Sequence, residues 1–218
     1  MFKRQIAIGD IHGCFSLAHE LVEEIIKFNP KEDRLIFMGD YIDRGTENLE
    51  TVNYVSALKT EHPENIVLLA GNHEDLAYKA LSQRTMEQMQ LWFINGGIET
   101  VKSFGTLENL EKLLLPFIET LMFFFETPQF IYVHGGIPHN QTVYTAQPNA
   151  LLWERNYKTY RGKNLIVGHT PHREVTKYEN TIVVDTGAVF YGKLSGYDTV
   201  NDVIYEAVSD TIMQTDIV

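Results

Sequence analysis

Asp10, His12, Asp40, Asn72, His134 and His169 are the residues best suited to chemistry, because each stands beside a glycine just after a short apolar run. Gln5-Ile6-Ala7-Ile8 runs into Gly9-Asp10-Ile11-His12-Gly13, and Leu35-Ile36-Phe37-Met38 into Gly39-Asp40-Tyr41-Ile42-Asp43-Arg44-Gly45. Ile66-Val67-Leu68-Leu69-Ala70 leads to Gly71-Asn72-His73-Glu74, Phe130-Ile131-Tyr132-Val133 to His134-Gly135-Gly136, and Leu165-Ile166-Val167 to Gly168-His169-Thr170. Glycine at such ends lets backbone approach closely. Two carboxylates, three imidazoles and an amide oxygen, with no sulfur, are too many ligands for one divalent cation and suit two. Paired cations about 3.5–4 Å apart most commonly serve hydrolysis at phosphorus. Asp40, on the strand expected to be central, is the expected bridge, and the ligand set fits Mn, Fe, Zn or Mg. A single histidine is ordinarily a satisfied core or surface residue. Five strand ends of one construction argue otherwise. His19, His62 and His139 share no such pattern, and His172 is close enough to His169 only for a supporting place.

The elements that must hold these residues follow from periodicity. Leu17, Ala18, Leu21, Val22, Ile25 and Ile26 keep helical spacing until Asn29-Pro30, and Leu49, Val52, Val55 and Leu58 do so more weakly. The resulting β-α-β-α-β order predicts parallel strands with right-handed crossovers, whose carboxyl ends are where ligands bind in open α/β sheets. From Leu76 to about Leu121 the pattern is helical, with Pro116 expected to end or kink it and Gly96-Gly97 to stop it. From Met122 the chain is strand-rich, and hairpins there suggest a second, more antiparallel sheet packed on the first.

The chain has 218 residues, 44% of them hydrophobic, enough for one substantial core, and residues 1–218 read as a single domain. A net charge of −11 disfavours binding to nucleic acid or anionic membrane. After Leu194 there is no Lys or Arg, while Asp198, Asp202, Glu206, Asp210 and Asp216 suggest a solvated acidic face. Cys14 is the lone cysteine, so no intramolecular disulfide forms, and no apolar run reaches membrane-spanning length. A soluble, cytoplasmic protein is expected. Cysteine-based phosphatase chemistry needs an arginine six residues after the nucleophile, and position 20 is Glu20. Gly187-Ala188-Val189-Phe190-Tyr191-Gly192-Lys193 imitates a P-loop, but Leu194 replaces the required Ser or Thr and the following residues read as strand.

Gly9-Asp10-Ile11-His12-Gly13, Gly39-Asp40-Tyr41-Ile42-Asp43-Arg44-Gly45 and Gly71-Asn72-His73-Glu74 resemble, in order and spacing, the three signature motifs of the metal-dependent phosphoprotein phosphatases. His134-Gly135-Gly136 and Gly168-His169 resemble that family's later histidine motifs, and the likeness extends through Gly187. The resemblance implies a calcineurin-like metallophosphoesterase α/β fold, with two packed mixed β-sheets flanked by helices. It implies Asp10, His12 and Asp40 at one metal, and Asp40, Asn72, His134 and His169 at the second, with Mn²⁺ preferred over Fe, Zn or Mg. A hydroxide between the metals is the implied nucleophile. Arg44, Arg155 and Asn72 would contact the phosphoryl oxygens, and His73, held by Asp43, would protonate the leaving alkoxide. The implied substrate is a phosphoprotein or small phosphoester, on a chain expected to be monomeric. Two alternatives are a symmetrical bis(5'-nucleosyl)-tetraphosphatase and a non-catalytic phosphoprotein-binding module. The latter is disfavoured by the retention of all six ligands with Asp43, Arg44 and His73.

Overall fold

The computed structural model describes residues 2–209, so Asp210 and Asp216 of the acidic run lie outside the described residues. Strand β1 (Arg4–Ile8) is followed by α1 (Phe15–His19), which continues as a π-wound turn (Glu20–Ile26). Then come β2 (Asp33–Phe37), α2 (Asn48–Glu61), β3 (Ile66–Leu68) and α3 (Asn72–Gln83). The helical layer continues through α4 (Met86–Trp92), α5 (Ile98–Phe104), α6 (Leu107–Asn109) and α7 (Leu115–Glu119). The second half comprises β4 (Phe124–Glu126), β5 (Phe130–Val133), α8 (Pro148–Trp153) and β6 (Asn164–Val167). β7 (Thr176–Lys177), β8 (Thr181–Val183), α9 (Ala188–Tyr191), β9 (Lys193–Asp198) and β10 (Val203–Val208) follow.

The strands form two five-stranded mixed sheets, ordered β10-β9-β1-β2-β3 and β4-β5-β6-β8-β7. Their alternation explains why the parallel strands read as unbroken apolar runs. Ile6 and Ile8, Leu35 and Phe37, and Ile66 and Leu68 face the helices, while Ala7, Ile36 and Val67 face the other sheet. Tyr132 and Ile166 come from the opposite side to close that inter-sheet core, and Ile131, Val133, Leu165 and Val167 build a third cluster on the outer face.

Three expectations need correction. The second sheet is parallel at its centre, β5, β6 and β8 running together, and antiparallel only at its edges. The last hairpin joins the first sheet instead, β9 lying antiparallel to β1, so β1 is the middle strand of five and β2 the middle of the three parallel ones. Nor is the acidic run a uniformly solvated face, because Asp198 is buried and accepts from the backbone N–H groups of Gln5 and Val200. Gly96 (φ 104°) leaves the helical region and separates α4 from α5, as expected, and Pro116 falls in the first turn of α7, directly after the π-wound turn Leu110–Leu114. Among the described residues no helix is long and apolar enough to cross a membrane.

At the far end of the first sheet, Arg4 and Asp33 face each other in the β1–β2 register. The guanidinium donates from Nε to Oδ1 at 2.8 Å and from Nη2 to Oδ2 at 2.5 Å, and Asp33 has no exposed surface. Arg4→Met leaves that carboxylate buried without its cation and should lower stability by roughly 3 kcal/mol, read by urea unfolding. Adding Asp33→Leu should recover part of the loss; an unchanged midpoint for Arg4→Met would contradict this account.

Candidate active site

The carboxyl ends of both parallel triplets meet at one edge of the sandwich. β1 delivers Asp10 and His12, β2 Asp40, β3 Asn72 and His73, β5 His134, and β6 His169. All seven are buried. The sixth end, after β8, delivers Asp185, which the sequence reading did not assign. Its signal was Val183-Val184-Asp185-Thr186-Gly187, an apolar run ending in acid and glycine, but on a strand of only three residues without a histidine.

Asp40 is the hub. Its Oδ2 lies 3.3 Å from His12 Nε2, 3.4 Å from His134 Nε2 and 4.0 Å from His73 Nε2, and its Oδ1 accepts from the His73 backbone N–H at 3.0 Å. Asn72 Oδ1 lies 3.0 Å from His134 Nε2 and 2.8 Å from His169 Nδ1. Gly71 is required here, since a Cβ would sit 2.1 Å from Asp40 Oδ1. Among the described residues, five of the nine non-glycine residues with positive φ are His12, Asp40, Asp43, Arg44 and His169, so the uncommon backbone conformations concentrate at this edge.

Tautomers test whether these residues fit cations. His12 Nδ1 is 2.8 Å from the Ile42 carbonyl and His134 Nδ1 2.8 Å from the Met38 carbonyl. A carbonyl only accepts, so each Nδ1 donates, and each Nε2 turns its lone pair toward the same Asp40 oxygen when neutral. His169 Nε2 and Asp10 Oδ1 are buried without any partner. Oxygen and nitrogen acceptors thus converge with too few donors among them, an arrangement that divalent cations satisfy. Two trios have donor atoms within 4.8 Å of one another, His12, Asp40 and His73, and Asp40, His134 and His169, sharing Asp40. Neither includes Asp10, whose Oδ2 accepts from the His169 backbone N–H at 2.9 Å.

The electrostatics agree. Burial and the neighbouring Asp185 raise Asp10 well above the usual carboxylate range, and burial with Asp40 nearby lifts Asp185 to about 6. Burial would lower His134, yet the Asp40 and Asp10 carboxylates carry it up to about 10. Burial and then Arg44 push His12 down to about 4. Negative charge is therefore concentrated beyond what these side chains neutralise alone.

Arg44, Arg155 and the His73–Asp43 pair also arrive at this edge. Arg44 Nη1 donates to His12 Nε2 at 2.6 Å. Arg155 is exposed just beyond α8, 3.5 Å from the Thr170 hydroxyl, and the Leu151 carbonyl of α8 accepts from Gly135 N–H at 2.9 Å, tying that segment to the His134 loop. His73 Nδ1 is 2.7 Å from Asp43 Oδ2. Trp92 and Thr100, to which sequence reasoning assigned no role, bond to Asp43 as well, their spacing in helices far along the chain giving no local cue. Glu74 was quoted in a motif without a function. Its Oε2 accepts from the backbone N–H groups of Asp40 and Gly71 at 2.9 Å each, and its Oε1 from Tyr41 at 2.9 Å.

Glu74→Gln turns an NH₂ toward backbone donors that have no other acceptor, and should lower stability by roughly 2–4 kcal/mol in urea unfolding. Asp75→Asn, on the outer side of α3, should change it by about 0.5 kcal/mol or less. Equal effects of the two would refute the clamp.

Comparison with known proteins agrees with this geometry. The family model for calcineurin-like phosphoesterases matches residues 3–200. Serine/threonine-protein phosphatase 2 of Salmonella typhimurium is 30% identical over 217 residues, covering 89% of this chain and 92% of that protein. An asymmetrical bis(5'-nucleosyl)-tetraphosphatase of Anoxybacillus flavithermus is 29% identical over 224 residues, covering 86% and 87%. Among solved structures, the cold-active protein-tyrosine phosphatase of a psychrophilic Shewanella shares the fold, with a TM-score of 0.67 at 17% identity over 95% of this chain and 81% of that one. A sandwich whose parallel strands gather carboxylate, amide and imidazole at one edge, matched by that family model along most of its length, makes the chain a member of the calcineurin-like phosphoesterase family, a metal-dependent phosphatase.

Proposed function

We propose that the chain removes phosphate from phosphoserine and phosphothreonine side chains of proteins. The observation that carries this reading is the buried His73–Asp43 pair beside Asp40. A serine or threonine alkoxide is a poor leaving group until protonated, so its ester needs a general acid. A nucleotide leaving from a dinucleoside tetraphosphate departs as a phosphate anion and needs one far less. The Salmonella relative, named as a protein phosphatase, supports the same choice.

Asp10, His12 and Asp40 would hold one divalent ion and Asp40, Asn72, His134 and His169 the other, Mn²⁺ being the preferred metal. Such a pair lowers the pKa of water from 15.7 toward about 7 and offsets charge on phosphoryl oxygen. The remaining work belongs to side chains. Arg44, with Arg155 at the rim and the Asn72 amide, orients the phosphoryl group through planar, charge-assisted donors. Asp43 accepts from His73 Nδ1, which leaves Nε2 to carry the proton toward the departing oxygen. The chain 1–218 acts as one domain and a monomer in the cytoplasm, where its lone Cys14 needs no partner.

Titration with Mn²⁺ after chelator treatment should give two sites per chain, and Asp40→Asn should weaken both. Loss of a single site would remove Asp40 from the bridging position. With Mn²⁺ supplied, a phosphoserine peptide should be hydrolysed and diadenosine tetraphosphate should be a poor substrate; the reverse order makes the enzyme a dinucleoside tetraphosphatase. His73→Asn should cost an alkyl phosphate about 100-fold or more in kcat and p-nitrophenyl phosphate about 10-fold or less.

A further inference from the structure

Asp43 and Arg44 are adjacent, both in the left-handed region (φ 74° and 69°), and face different tasks. Local sequence does not favour two such residues in succession, so something outside the loop must hold them. Besides His73 on Asp43 and His12 on Arg44, the contacts come from one segment, residues 92–100, that spans the α4–α5 kink. Trp92 Nε1 donates to both Asp43 oxygens at 3.0 Å. The Thr100 hydroxyl donates to Asp43 Oδ1 at 2.6 Å and accepts from the Asp43 backbone N–H at 2.9 Å. The Gly96 carbonyl accepts from the Arg44 backbone N–H at 3.2 Å. Gly97 has no room for a side chain, since a Cβ would lie 2.6 Å from the Trp92 indole. Asp43, Trp92 and Thr100 are all fully buried.

The donors are therefore complete. Asp43 Oδ1 receives Trp92 and Thr100, Oδ2 receives Trp92 and His73, and no oxygen is left to turn elsewhere. A carboxylate fixed at three points has one orientation in which to receive the imidazole.

We infer that Trp92 and Thr100 are positioning residues for the general acid: the segment 92–100 sets the direction of the Asp43 carboxylate, through it the imidazole of His73, and through Gly96 the backbone from which Arg44 projects. The inference rests on the acid role proposed above for His73. It concerns residues that touch neither substrate nor metal ligand.

The test compares an alkyl phosphate with p-nitrophenyl phosphate, whose leaving group needs no acid, in Mn²⁺-loaded enzyme. His73→Asn sets the reference. Thr100→Val keeps the packed volume and removes the donor, Trp92→Phe removes the donor but leaves a small cavity, and each should lower kcat for the alkyl ester by roughly 10-fold or more while p-nitrophenyl phosphate changes less than about threefold. KM for both esters and the bound metal should stay as in the parent protein. Thr100→Ser, which keeps the hydroxyl, should restore the alkyl rate. In protein loaded with diamagnetic Zn²⁺ in place of Mn²⁺, the low-field proton resonance of His73 Nδ1–H should shift or vanish in the first two variants and persist in Thr100→Ser. If Thr100→Val does not fold, Trp92→Phe carries the same comparison. A selective loss in His73→Asn with equal or no losses in Trp92→Phe and Thr100→Val overturns the positioning role alone. No selectivity in His73→Asn overturns both it and the acid assignment.

Discussion

Everything at this edge depends on forcing groups that repel one another into a common space. Asp40 faces the Nε2 atoms of three imidazoles, while burial and the nearby Asp185 raise Asp10, and burial and the nearby Asp40 raise Asp185. The Asp40 and Asp10 carboxylates favour a protonated His134, but Asp10 Oδ1 and His169 Nε2 stay buried without a partner, so part of the arrangement calls for added positive charge. The fold holds it by spending backbone donors on carboxylates. Glu74 collects N–H groups from the turns after β2 and β3, and the first turn of α3 donates to Asp40. The site is thus held by a scaffold of hydrogen bonds made to the main chain, with the ligands' own attractions contributing little.

That scaffold explains the topology. Only parallel strands send successive carboxyl ends to one edge, and the two triplets supply six. Antiparallel strands occur only outside those triplets, at sheet edges or in the terminal hairpin, and the described site residues reach the edge from the parallel strands or the helices that follow them.

The parallel strands and their ligand-bearing ends were legible because burial on both faces writes an apolar run, and the glycine and acid that follow interrupt it. Asp10, Asp40 and His169 could be grouped from sequence for that reason. Partners were not legible. A hairpin such as β9–β10 carries no mark of which sheet it joins, since either free edge offers the same hydrogen bonds. Trp92 and Thr100 look like core residues in a helical layer, and only tertiary geometry aims their donors at Asp43. Pro116 was legible as a break because its missing N–H is tolerated in the first turn of α7, just after the irregular π-wound turn.

The placement of β9 against β1 has a consequence for how the chain is made. Ile6 pairs with Asp198, so β1, made about 190 residues before its partner, keeps one side open until β9 is synthesised. Meanwhile β1, β2 and β3 can assemble, with an apolar, unpaired margin that invites association with other nascent chains. Closure by the β9–β10 hairpin is then the event that converts a partly formed sheet into a protected one, and shortening the chain before residue 193 leaves that margin bare even with Asp10, Asp40, His134 and His169 all in place.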